Sequence, residues 1–237
     1  MADLNFSIRP IELADALYNA VTLAQDTGGL PGCPHVLISY QRGSDERTGA
    51  VTVYGVSRLI GGRTTVNLET QAPDEYVSVC IGRDYADEVQ SLLRSYGRAK
   101  STMVGVRISE EGYDTVDFGD DGEPVVRTVH FSITKGEDTV VELAESDPDG
   151  AYNHRFDLVD MWTTSATSGG PTALTFEAIK RITSLKGLGA TTVDLAQTTN
   201  PNVLALAAGP HFRGVLGLVD REVYAGPDGA RAEHLLV

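Results

Sequence analysis

The chain has 237 residues but only two cysteines, Cys33 and Cys80. That excludes a small domain held by several disulfides, and no C-x-x-C spacing exists for metal binding or thiol exchange. The five histidines (His35, His130, His154, His211, His234) are scattered, with no H-E-x-x-H or paired Cys/His spacing. No zinc site and no cofactor is expected. No apolar run approaches the roughly 18 residues needed to cross a bilayer. The first residues, "MADLNFSIRPIELADAL", lack a basic start followed by an apolar stretch, so no secretion signal is read there and a cytoplasmic location is expected. Positive charge is also scarce, with 19 Lys and Arg against 33 Asp and Glu, a net of −14. Such a surface repels nucleic acid and anionic membranes at long range. It excludes an ordinary DNA-binding domain with a basic excess, and leaves open a protein that gathers its few cations on one protected face.

The length fits one large or two small domains. Residues 10–26 place Leu13, Leu17, Ala20, Val21 and Ala24 at helical spacing behind Pro10, and "TGGLPGCP" stops the helix. Residues 34–70 read as a meander of strands. Val77, Val79 and Ile81 alternate as a strand, and Val89, Leu92, Leu93 and Tyr96 form one face of a helix. "MVGVRIS", "YDTVDFG", "VVRTVHFSI" and "DTVVELA" alternate again, while "RFDLVDMWTTSATSGG" is compatible with a strand and loop or with a short helix. Leu174 and Phe176 read as strand, then Ala178, Ile179, Ile182 and Leu185 as a helical stripe, then Val193 and Leu195 as strand; "NVLALAAGP" and "FRGVLGLVD" close the pattern. Strands outnumber helices and the helices do not alternate regularly with them. The expectation is an α+β fold of antiparallel sheets with helices on one face, divided into domains at 1–122 and 123–237.

Residues 75–109 and 172–198 both read strand, helix, strand. An offset of 90 places Ala86 on Phe176, Val89 on Ile179 and Leu92 on Ile182; a slightly smaller one places Val106 on Val193 and Ile108 on Leu195. The match is one of pattern, not identity. Against the apolar stripes, Arg83, Arg94 and Arg98 fall on the far side of the first helix and Lys180 on the far side of the second, with Arg181 on its flank. Lys100 and Lys186 follow the two helices. Cations near a helix C-terminus complement its dipole, which accounts for Arg98, Lys100 and Lys186 but not for Arg83.

No catalytic constellation is present, and no enzyme is expected. "DFG" at 117–119 has no Gly-rich loop, strand lysine or H-R-D beside it. "DDGE" and "DPDG" lack the spacing of a calcium loop, and "TSGGP" is neither a G-x-S-x-G nor a P-loop.

The repeated strand–helix–strand pattern and its basic helices resemble the DNA polymerase sliding clamps, of the bacterial kind but in a two-domain form. "ALTFEAIKRITSLKGLGATTVDLAQTTNPNVLALAAGPHFRGVLGLVDRE" is similar to the end of a bacterial clamp. "AVTVYGVSRLIGGRTTVNL" falls where clamps carry an A-T-D-x-x-R-L-like strand; here Arg58-Leu59 is kept and the A-T-D is not. The resemblance implies a non-enzymatic processivity factor that encircles duplex DNA without reading sequence, served by a clamp loader and tethering a DNA polymerase. It implies DNA contacts at Arg83, Arg94, Arg98, Lys100, Lys180, Arg181 and Lys186. It also implies a partner-peptide pocket walled by Tyr54, Val56, Arg58 and Leu59 on one side and by Val215 and Leu218 on the other. Two complete domains per chain imply a ring of three chains, of the compact kind a phage would carry into its host's cytoplasm. Residues 125–170 and the first helix, whose exposed side is expected to carry Glu12, Asp15, Asn19 and Thr22, depart from the pattern. The alternative is a structural assembly protein such as a phage head or tail component. That explains the acidic surface and the missing active site, but not the paired basic helices.

Overall fold

Alternating apolar residues and one proline start the fold. In β1 (Asp3–Ile8) Leu4, Phe6 and Ile8 are buried while Asn5 is exposed. Pro10 then opens α1 (Pro10–Leu23), where its missing N–H would have had no helical partner anyway. Three strands follow: β2 (His35–Arg42), β3 (Gly49–Val56) and β4 (Ile60–Leu68). The same order then recurs as β5 (Val77–Gly82), α2 (Arg83–Tyr96), β6 (Val104–Glu111), β7 (Arg127–Lys135) and β8 (Asp138–Asp147). Helices α1 and α2 have 14 residues each. After α3 (Arg155–Thr164) a third unit runs α4 (Phe176–Ser184), β9 (Asp194–Gln197), β10 (Val203–Ala208) and β11 (Phe212–Gly217). This computed structural model describes residues 3–24, 35–42, 48–57, 60–68, 77–96, 103–111, 127–135, 138–147, 155–164, 176–186, 193–200 and 203–217. The strand expected in "YDTVDFG" lies outside them.

The first two units are interlocked. Each gives its first strand to the other's sheet: β1 pairs with β6, and β5 pairs with β2. The sheets have the orders β1-β6-β7-β8 and β5-β2-β3-β4-β11-β10-β9, antiparallel throughout. A core of Leu4, Phe6, Ile38, Val53, Val106 and Phe131 fills the space between them under α1 and α2. Burying each such side chain contributes about 1.5–3 kcal/mol. Packing is tightest where α1 lies on β3: a Cβ on Gly55 would stand 2.1 Å from the Ala20 carbonyl oxygen, so only glycine lets the helix this close.

The third unit is joined to the first through the β4–β11 pair, in register from Phe212 opposite Thr64 to Leu216 opposite Ile60. Leu23 of α1 joins Ile182, Leu204, Leu206, Phe212 and Leu216 in a second core on the same side of the sheet. A Cβ on Gly62 would lie 2.7 Å from the Phe212 ring, so this glycine makes room for the aromatic. Asn19, 1% exposed, adds a polar link. Its side chain donates to the Lys186 carbonyl (2.9 Å) and to Thr64 Oγ1 (3.2 Å), and accepts from the Lys186 N–H (2.7 Å).

Several expectations change. The β6–β7 pair carries one sheet across the boundary expected at 122/123. Phe176 begins α4 instead of ending a strand, and of the two readings open for "RFDLVDMWTT" the helix is the one formed. Asn19, expected on the exposed side of α1, is buried because it pins α4's end. Helices do not share one face: α1, α2 and α4 lie on one side of the seven-stranded sheet, and α3 lies on the other against Leu37, Tyr54, Val203 and Val215.

Replacing Asn19 with Ala strands the polar groups of Lys186 and Thr64 in a partly closed environment. A loss of about 1–3 kcal/mol is expected, read as a lower denaturant midpoint at unchanged slope.

Candidate functional site

Helix α1 lies between α2 and α4 in one layer, with contacts to both. The buried side of α2 is Tyr85, Ala86, Val89, Gln90 and Leu93; Leu92 and Tyr96 are only half-buried. At about 100° per residue this turns the helix from the orientation expected, and Arg83 and Arg94 come to its flank beside α1. Arg83 Nε donates to the Val21 carbonyl (3.3 Å), and its guanidinium pairs with Asp84 (3.2 Å). Arg94 pairs with Asp15 of α1 (2.6 Å), donates to Gln90 Oε1 (2.9 Å) and sits 5.4 Å from the centre of the Tyr18 ring. The side of α2 facing solvent carries Asp84, Asp87, Glu88, Ser91 and Ser95. Sequence reasoning missed this because Leu92 looks as good a core residue as Leu93; the deciding signal is Gln90, a polar residue turned inward and tied to Asp87 and Ser91.

On α4, Lys180 is exposed, and Arg181 reaches Ser57 Oγ (3.0 Å) in the β3–β4 connection. Lys186 is exposed with its ammonium 4.0 Å from the Tyr18 ring centre. The structure therefore brings Arg94 and Lys186, from different units, onto one aromatic ring of the central helix, a cation–π arrangement at both contacts. Tyr18 has no signal in the sequence reading, since its role depends on α1 lying between α2 and α4. Arg98 and Lys100 lie outside the described residues. Beside Tyr18, Glu12, Asp15, Thr64, Asn67, Lys186 and His211 line an open hollow of about 270 Å³.

On the other side of the sheet, Tyr54, Val56 and Val215 do meet, but α3 covers them. Phe156 packs edge-on to Tyr54 (6.1 Å between ring centres), and Val159 is fully buried in the same cluster. The Tyr54 hydroxyl donates to Asp160 Oδ2 (2.9 Å), and Arg63 forms an ion pair with Oδ1 of the same carboxylate (2.9 Å). The expected peptide groove is thus filled by the chain itself. Arg58, Leu59 and Leu218 lie outside the described residues. Because Phe156 is 3% exposed, Phe156→Ala is expected to cost about 3–5 kcal/mol in urea unfolding. Unchanged stability would mean that α3 is not held there.

No family model matches the chain, and no curated protein matches it. Solved structures do. The chain is similar to a DNA polymerase sliding clamp from Pseudomonas aeruginosa, with a TM-score of 0.59 and 12% identity over 93% of this chain and 68% of that one. It is similar to a sliding clamp from Caulobacter crescentus, with a TM-score of 0.53 and 12% identity over 96% of this chain and 68% of that one. A second Pseudomonas structure, of the DNA polymerase III subunit beta, gives 0.51 and 12% over 92% and 66%. The chain thus has the sliding-clamp fold and spans about two thirds of the length of those clamps.

Proposed function

We propose that the chain is a subunit of a closed ring around duplex DNA, a processivity clamp that holds a DNA polymerase to its template and catalyses no reaction. The observation that carries this reading is the helix layer. In a chain of net charge −14, α2, α1 and α4 set Arg83, Arg94, Lys180, Arg181 and Lys186 along one side of the sheets, with Arg94 and Lys186 converging on Tyr18. Arg98 and Lys100, adjoining α2 in sequence, are further proposed phosphate contacts. Phosphate contacts of this type carry no base information, and their number sets the salt dependence of binding. Three of the cations are already committed to protein partners, and α2 presents acid to solvent. The grip on DNA is accordingly weak and mobile, and retention comes from topology.

The division proposed for the chain is one complete domain of two interlocked units, 3–147, and a single further unit, 176–217. A ring of three chains presupposes four units per chain. With three units among the described residues, the proposed ring has a different count. With α3 seated over Tyr54, Val56 and Val215, a polymerase segment docks beside or in place of α3, with Arg58, Leu59 and Leu218 as further proposed contacts.

The exposed acid of α2 favours a second reading, a structural assembly subunit with no DNA role. Reversing Lys180 and Lys186 to Glu separates the two, since both side chains are exposed. A clamp loses polymerase stimulation on circular primed templates while the particle mass stays unchanged. Full stimulation by the reversed variant contradicts the clamp.

A further inference from the structure

Helix α3 covers a core on which the rest of the structure does not depend. The strands beneath it are hydrogen-bonded to one another without it, and the other two cores lie on the far side of the sheet. Among its described side chains Phe156 and Val159 are buried, Met161 is exposed and the Asp160 carboxylate is half-exposed. By contrast α1 buries residues along its whole length.

The strip under α3 is shaped for one kind of segment. A Cβ on Gly61 would stand 3.2 Å from Val159 Cγ2 and 3.5 Å from Val215 Cγ2, so the missing side chain leaves a notch for a branched aliphatic residue. Phe156, three residues earlier, packs edge-on against Tyr54. Asp160, four residues after Phe156, lies on the same helix face and answers both the Tyr54 hydroxyl and the Arg63 guanidinium. Arg63 faces Arg213 directly across the β4–β11 pair. Like charges so placed repel each other, and Arg213 donates to the carbonyls of Gly209 (2.8 Å) and Phe212 (2.6 Å), not to a carboxylate. In a chain of net charge −14 this is a place that attracts acid.

We infer that α3 is a displaceable cover, the chain's own stand-in for a partner segment of the same chemistry. That segment is a helix with an aromatic residue, an aliphatic residue three positions later and a carboxylate immediately after it, laid into the strip by the same anchors. It lies in place of α3, not beside it. The strip takes one occupant at a time, so the apparent affinity for the partner is the intrinsic affinity reduced by the fraction of molecules in which α3 is lifted. A change that loosens α3 therefore strengthens the partner's hold. If α3 were a wall of the pocket, the same change would weaken it. The inference rests on the reading that partner segments dock on this side of the sheet. It does not involve the ring or DNA, so a failed charge reversal at Lys180 and Lys186 leaves it standing.

The test is titration of the full chain with a fluorescein-labelled synthetic peptide spanning residues 153–166, which contains α3, followed by fluorescence anisotropy. Asp160→Ala and Phe156→Ala in the chain are each expected to tighten binding by about tenfold or more. The same two substitutions in the peptide are expected to abolish it. Equal or weaker binding by the variant chains, or no binding of the peptide to any of them, overturns the inference. A second measurement guards against a variant that loses its fold. Cys80 is buried in the cluster under α3, and with Cys33→Ser it is the chain's one thiol. In Asp160→Ala its labelling by a maleimide is expected to speed up about fivefold, while hydrogen exchange at the β3 and β11 amides stays unchanged. Unchanged labelling, or exchange at β3 and β11 that accelerates in step with it, makes α3 an integral part of the core and overturns the cover.

Discussion

A helix lying on three antiparallel strands covers only part of the apolar face beneath it, and the rest of this structure follows from how that remainder is closed. The first two units close it by exchange. Because β1 is built into the second unit's sheet and β5 into the first's, neither unit keeps its core without the other. Val36, Ile38, Val106 and Ile108 are all fully buried as a result. The energy of this domain is therefore carried by long-range pairing, which makes its folding slow relative to a chain of local contacts. The third unit enters from the opposite edge. It borrows β4 as a neighbour for β11 and α1 as a neighbour for α4, with Asn19 holding Lys186, just past α4, through two hydrogen bonds and Thr64 of β4 through a third.

The two sides of the seven-stranded sheet acquire different characters from this construction. On one side the helices lie together because each must cover its own strands, and their flanks collect basic side chains around Tyr18. On the other side α3 seals an apolar strip with Phe156 and Val159, tethered by Asp160 to Tyr54 and Arg63. Arg83, Arg94 and Lys186 have part of their charge answered within the protein, by Asp84, by Asp15 and by the Tyr18 ring.

Periodicity of two residues revealed most strands, and periodicity of three to four revealed α1 and α2, because those elements bury one face and expose the other. The clamp resemblance is legible in the third unit and in the sequence stretch Val53–Leu59. Matching 75–109 with 172–198 pairs α2–β6 with α4–β9, which do follow the same order, but it misses that 3–68 repeats with 77–147. The missed signal was the corner itself. Ile8-Arg9-Pro10 and Ile81-Gly82-Arg83 both lead from strand directly into a 14-residue helix. The sequence leaves α3 open between strand and helix, since among its described side chains Phe156 and Val159, three residues apart, mark the buried side, and it docks on a sheet face formed far away in sequence. The facing of Arg94 depended on choosing Leu93 over Leu92 as core, a choice made by α1, which no local pattern contains. Ile179 and Leu195 have the spacing of core residues but are exposed, because no local pattern shows what lies against them.

The central claim, that the layer of α2, α1 and α4 faces a central opening, is tested most directly by electron microscopy of the particle in solution. The account predicts a closed ring wide enough to admit duplex DNA, with these helices lining the hole and α3 on the outer rim. A solid particle, or a ring with α3 inside and the three helices outside, would contradict it.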